Sequence, residues 1–141
     1  MGMFIGRGRK ARQTYGLDEI ALVPGCVTID PDDVDTTVTI GGIKFATPIL
    51  AAAMDGVVDV PFAIEMGKAG GIGILNLEGV QTRYDDPGPI LKEIAESTPE
   101  KSTEVIQKVY SAPIKEELIA RRVQEIKAGG VRAIVSSIPQ K

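Results

Sequence analysis

The chain has 141 residues, 43% hydrophobic and 25% charged, with 16 Lys and Arg against 19 Asp and Glu for a net charge of −3. That makeup is that of one ordinary soluble domain, which excludes a disordered segment and gives no bulk electrostatic reason to bind nucleic acid. The longest apolar stretch, Thr47 to Met54, falls far short of the roughly 20 residues that span a bilayer, and the single cysteine, Cys26, excludes an intrachain disulfide framework, so a reducing cytoplasm is the expected location.

Residues 1–46 read as a mainly irregular leader carrying short strands. The cluster Gly6-Arg7-Gly8-Arg9-Lys10-Ala11-Arg12 is too short to make a polyanion site and reads as a solvated arm or a subunit contact. Asp18 to Pro24 places apolar residues at 20, 22 and 23 ahead of a proline, which suits a brief edge strand or a helical turn. Thr36-Thr37-Val38-Thr39-Ile40 alternates strictly, and Gly41-Gly42 turns it back into Ile43-Lys44-Phe45, predicting an antiparallel hairpin at one end of the main sheet.

The next segments predict strand, helix and strand. Thr47 to Ala53 is a buried strand ending in Met54-Asp55-Gly56. Asp59 caps a helix to Ala69, with Pro61 in its first turn and Phe62, Ala63, Met66 and Ala69 on one face; Ile72 to Asn76 is the second strand. The tetrapeptide Lys-Ala-Gly-Gly occurs at 68–71 and again at 127–130, each time closing a helical pattern and opening an apolar run. A paired glycine there supplies a left-handed helix stop and a sharp entry to the sheet, the mark of parallel helix-to-strand units.

Between Leu77 and Gly129 lie three helical patterns. One spans Pro89 to Glu96, the second opens at Thr98-Pro99, and the third carries Ile114, Leu118, Ile119, Val123 and Ile126. Glu117 and Arg121 are spaced to pair on a wet outer face of the third helix. Val131 to Ser137 is then a third parallel strand, and no linker divides the chain.

Histidine and tryptophan are absent, so no Ser-His-Asp or Cys-His site can be assembled from these residues and the commonest zinc ligand is missing. In a parallel α/β sheet, ligands meet the carboxyl ends of the strands. Those ends are Ala52-Ala53-Met54-Asp55-Gly56, Asn76-Leu77-Glu78-Gly79 and Ser136-Ser137-Ile138-Pro139-Gln140-Lys141. The alanines at 51–53 and Met54 either admit a flat ring against the backbone or pack beside a helix. Asp55 is either a polar group at the mouth of a site or a cap for the next turn. Gly70-Gly71-Ile72-Gly73 lies at the amino end of its strand and lacks the glycine fingerprint and following lysine of a phosphate loop. Cys26 has no base nearby in sequence, and Arg83-Tyr84-Asp85-Asp86 reads as a polar turn.

Three ordered stretches, Tyr15 to Pro24, Pro48 to Val57 and Ala63 to Gly73, together resemble the amino-terminal third of the IMP dehydrogenase and GMP reductase family. Gly6 to Arg12 and Ile74-Leu75-Asn76-Leu77-Glu78-Gly79 are similar to the bacterial branch without regulatory CBS domains. The resemblance implies a (β/α)8 TIM barrel that binds a purine mononucleotide, GMP or IMP, and NADP or NAD over its carboxyl face. A thiolate on a later loop would attack C2 of the purine, with hydride passing between that carbon and the nicotinamide. The implied substrate contacts are Ala52, which stands where many IMP dehydrogenases have serine, Met54 and Asn76. The implied cofactor contacts are Ser136 and Ser137. No catalytic residue and no metal ligand is expected within this segment, and a homotetramer or octamer is the implied assembly.

Two departures refine that expectation. The third helical pattern runs straight into the strand at Val131, where the family's CBS pair is normally inserted, and lack of that pair tilts the reading toward NADPH-dependent reductive deamination of GMP over NAD-dependent oxidation of IMP; a non-catalytic nucleotide-binding paralogue is the third reading. Leu77 stands where typical reductases carry lysine, and Asn76 and Leu77 where typical dehydrogenases carry histidines. A barrel of this type needs about 250 residues. Residues 1–46 are therefore expected to be the leader, and 47–141 the first three strands of the catalytic domain, a part that is inactive alone.

Overall fold

The computed structural model describes residues 3–138, which fall into two compact units divided between Asp35 and Thr36. In the first, within the leader read as mainly irregular with short strands, β1 (Met3–Ile5) and β2 (Arg9–Ala11) form an antiparallel hairpin with Phe4 opposite Lys10. Gly6 and Gly8, at φ of 59° and 76°, make the reversal, and the Lys10 ammonium lies 5.5 Å from the centre of the Phe4 ring. Of residues 18–24, only Asp18 and Glu19 take a helical turn, the 3-10 turn Leu17–Glu19 tied by Gly16 N–H to Glu19 Oε2 at 2.7 Å, and residues 20–24 form neither a strand nor a helical turn.

The second unit begins with the expected hairpin. β3 (Val38–Ile40) and β4 (Ile43–Phe45) pair antiparallel through Gly41 and Gly42, both at positive φ. Beyond it, Thr47 N–H bonds Gly70 O at 3.0 Å, so the segment leaving the hairpin lies against the amino end of the sheet.

That sheet has three parallel strands in the order β5-β6-β7: β5 (Leu50–Ala51), β6 (Ile72–Asn76) and β7 (Ile134–Ser136). β6 matches its predicted span, whereas β5 and β7 are shorter than the runs 47–53 and 131–137. Among the described residues each has only β6 as a neighbour, Pro48 has no N–H to give, and beyond β5 the chain turns sharply where Met54 N–H bonds Ala52 O at 2.8 Å. Val131 and Ala133 are drawn onto the core ahead of β7.

α1 (Val60–Lys68) is capped as expected, Asp59 Oδ1 accepting from Phe62 N–H at 2.8 Å with Pro61 in the first turn. Its inward face is rotated from the predicted one. Ala63 is buried over Gly73, and Ile64 and Gly67 meet Gly129 and Val131, while Phe62 and Ala69 are exposed. Small residues decide this, because they let helix and strand backbones come close.

α2 (Gly88–Ala95), α3 (Pro99–Tyr110) and α4 (Glu116–Ala128) follow the three predicted patterns. Leu118 and Ile126 of α4 are buried, but Ile114 precedes the helix and is exposed, and Arg122 occupies the buried stripe between them. Arg121 does not take Glu117; it bonds Asp85 at 3.1 Å and lies 3.8 Å from Glu125.

Both Lys-Ala-Gly-Gly copies end a helix and open toward a strand, one residue out of step. The left-handed residue is Gly70 in the first and Gly130 in the second, at φ of 87° and 80°. The core gathers Val58, Ala63, Leu75 and Ile126 between sheet and helices, with Ala51, Val60 and Leu77 packed on its edge.

Candidate functional site

Because β5, β6 and β7 run parallel, their carboxyl ends form one rim. The register sets Asn76 beside Ser136, and Met54 follows the end of β5. Two cavities open there. An apolar groove of about 870 Å³ runs from Met54 and Asp55 past Phe62 to Leu91, Ile94, Ile106 and Tyr110. A polar cleft of about 420 Å³ is lined by Asn76, Glu78, Arg83, Tyr110, Ser136, Ser137 and Ile138. Asn76 and Tyr110 belong to both.

The residues singled out from the sequence divide between these spaces. Met54 lines the groove and is 58% exposed, free to lie against a ligand. Asn76 Oδ1 accepts from Glu78 N–H at 3.0 Å, which leaves its amide NH2 as a donor. Ser136 and Ser137 line the cleft, and Ser137 Oγ donates to Ile138 O at 3.3 Å. Ala52 lines neither space; it is exposed at the strand end, where its carbonyl takes the Met54 N–H. Leu77 packs onto the core instead of facing the rim. Pro139, Gln140 and Lys141 lie outside the described residues.

Asp55 resolves its two readings in a third way: it is an anchor across elements. Its Oδ2 accepts from Val80 N–H at 2.8 Å and from the Tyr110 hydroxyl, which ties the end of β5 to the loop after β6 and to the last residue of α3. Desolvation, followed by the bond to Asp55, pushes the Tyr110 hydroxyl up to about 12. The Arg83 guanidinium sits 5.6 Å from the centre of the Tyr110 ring. Its Nε donates to Glu78 O at 3.1 Å and Nη1 to Ala112 O.

The segment after β6, read from sequence as a plain polar turn, is the most heavily bonded part of the site. Thr82 Oγ1 donates to Leu77 O at 2.7 Å, Tyr84 OH to Val109 O at 2.9 Å, and Lys115 N–H to Thr82 O at 2.9 Å. Arg122, 8% exposed, donates from Nε to Gln81 O at 3.1 Å and from Nη2 to Asp85 O at 2.8 Å. The Asp85 carboxyl is held below its usual range by hydrogen bonding and charge from Lys115 and then Arg121. A hint was available: two of the chain's three tyrosines, Tyr84 and Tyr110, fall in this connection. Among the described residues no cluster of three His, Cys, Asp or Glu side chains is placed to hold a metal, and no helix is long and apolar enough to cross a membrane.

Comparison with known proteins gives a consistent result. The family model described as IMP dehydrogenase / GMP reductase domain matches residues 14–136. An uncharacterised oxidoreductase of Mycobacterium leprae is 40% identical across 96% of this chain, which spans 38% of that relative's length. The inosine-5'-monophosphate dehydrogenase of Methanocaldococcus jannaschii is 34% identical over 74 residues, 52% of this chain and 15% of the enzyme. The crystal structure of an IMP dehydrogenase/GMP reductase-like protein from Corynebacterium glutamicum is similar with a TM-score of 0.79 and 34% identity, over 95% of this chain and 37% of that one.

Proposed function

The chain belongs to the IMP dehydrogenase / GMP reductase domain family, and from that premise we propose that it forms the leader and the first three strands of a (β/α)8 barrel that moves hydride between a purine mononucleotide and a nicotinamide cofactor. The observation that carries this reading is the parallel order β5-β6-β7, which gathers Met54, Asn76 and Ser136 at one rim. The helices of the core pack on the Gly73 and Leu75 face of the sheet, leaving Ile74 and Ile134 on the face that a barrel would close around.

Within that frame Met54 supplies a polarizable surface for the purine, with Ala52 beside it, and Asn76 a donor at its edge. Ser136 and Ser137 offer hydroxyls to the cofactor. The donor set of the cleft fits the amide and hydroxyl groups of a nicotinamide nucleotide, and the groove has space for a flat ring. NADP or NAD supplies or takes the hydride when bound; the residues described here bind and orient.

We favour the reductive direction, GMP to IMP with NADPH, because α4 leads to β7 through residues 129–133 alone, with no domain between them. The likeness to an IMP dehydrogenase favours the opposite direction, oxidation of IMP with NAD. Incubating the intact protein with GMP plus NADPH, and separately with IMP plus NAD, while following absorbance of the reduced nicotinamide decides between them. Turnover in neither mixture removes the enzyme reading and leaves a nucleotide-binding paralogue.

A further inference from the structure

Arg83 is fixed in place without being neutralised. Backbone carbonyls of Glu78 and Ala112 hold its Nε and Nη1, the Tyr110 ring lies beneath the guanidinium, and no carboxylate pairs with it among the described residues. Neutral acceptors orient a charge but leave it unbalanced. The cation lines the polar cleft together with the hydroxyls of Ser136 and Ser137 and the Asn76 amide, whose NH2 is left free by the bond from Glu78 N–H to Oδ1. The one carboxylate in the cleft is Glu78, and its Oε1 accepts from Ile138 N–H. A planar guanidinium beside neutral hydroxyl and amide donors is a set that recognises a phosphate ester, through paired charge-assisted hydrogen bonds.

Resting on the nucleotide reading above, we propose that Arg83 is a ligand-binding residue of this rim and that it takes a phosphate group, with the Ser136 hydroxyl and the Asn76 amide completing the contact. The apolar groove on the other side of Tyr110 has only Asp55 and Asp59 as charged lining groups, so the anion belongs in the cleft and a flat ring in the groove. Tyr110 separates the two.

The test is calorimetric binding to the intact protein of GMP, guanosine, NADPH and NADH, in the wild type and in Arg83→Gln and Arg83→Lys. Loss of one charge-assisted bond is expected to weaken the phosphate-bearing ligand about 10- to 100-fold in Arg83→Gln, to leave guanosine within about twofold, and to be partly restored by lysine. A loss confined to GMP assigns the mononucleotide phosphate; one confined to NADPH assigns the 2′-phosphate; one shared by NADPH and NADH assigns the pyrophosphate. An equal loss for GMP and guanosine with both cofactors unaffected, or no loss for any ligand, overturns the proposal and leaves the family reading standing. A wild type that binds none of the four overturns both. Because Arg83 also holds two loop carbonyls, Glu78→Gln provides a second measurement: removing the negative charge from the cleft is expected to tighten the phosphate-bearing ligand severalfold, and unchanged affinity counts against the proposal.

Discussion

The Asp55 carboxylate rests on the Cα of Gly79, so closely that a β-carbon there would fall 1.8 Å from Oδ1 and 2.3 Å from Oδ2. Gly79 has φ of −93°, open to any residue, so it is glycine because of this approach and not because of its backbone. The same contact accounts for Oδ1 being shielded without a hydrogen-bond partner. Gly79→Ala is expected to expel Asp55 from Val80 N–H and Tyr110, with a loss of about 2–4 kcal/mol for two bonds to a charged acceptor. Urea unfolding checks it. In an Asp55→Ala background the same glycine substitution should cost little, and an additive pair would show that the two residues act separately.

Tyr110 gives this anchor a pH signature. Its hydroxyl is raised to about 12 in the folded protein against an ordinary value of 10.0. The folded state therefore keeps a proton that the unfolded chain releases, and the stabilisation is fully present below about pH 10 and lost as pH rises from there toward 12. An absorbance titration of the three tyrosines should show one ionising late, and Tyr110→Phe should remove that late step. Loss of a step near the ordinary value of 10.0 instead of the late one would rule the anchor out.

Arg121 and Arg122 are adjacent in sequence, yet the contacts they make should respond very differently to substitution. Arg122 is buried and donates to the carbonyls of Gln81, Tyr84 and Asp85, so Arg122→Met removes the donor from three carbonyls, of which that of the buried Gln81 is shielded from replacement by water. A loss of about 3 kcal/mol follows. Arg121 and Lys115 reach the exposed Asp85 carboxylate, and Asp85→Asn should change the unfolding midpoint only slightly, by an amount that shrinks as salt is added. The residual effect should vanish as pH falls below 3.8, since the folded-state carboxyl titrates lower than that. Equal losses for Arg122→Met and Asp85→Asn would contradict this division.

The elements with local signals were legible in the sequence. Gly41-Gly42 between alternating strands, Asp59 and Pro61 at the head of α1, and both Lys-Ala-Gly-Gly stops state their geometry within a few residues. What the sequence concealed depends on distant partners. Neither Asp55 nor Tyr110 announces a bond spanning 55 positions, and Arg83 looks like loop polarity until the carbonyl of Ala112 arrives from the far end of α3. Arg122 interrupts an apolar stripe and so reads as a surface position, although the carbonyls of residues 81–85 make it a core one. The inward face of α1 was likewise hidden, because it is chosen by where glycines on other elements permit contact.

That choice can be tested on two neighbouring glycines of one strand entry. At Gly73 an added β-carbon would lie 2.7 Å from the Ala63 Cα, a backbone atom in the middle of α1. At Gly71 the nearest atom, also at 2.7 Å, is the terminal methyl of Met66, with Ile49 O next at 3.0 Å. A methionine side chain can swing away through its rotatable bonds, but α1 can yield only by lifting as a whole from Leu75 and the core. Gly73→Ala is therefore expected to destabilise by about 2–3 kcal/mol and Gly71→Ala by distinctly less, in parallel denaturant unfolding of the intact protein. Lifting α1 would also move Phe62 at the groove, so Gly73→Ala should weaken nucleotide binding where Gly71→Ala does not. If Gly71→Ala proves the costlier of the two, the seat of α1 on β6 is not what fixes the helix face.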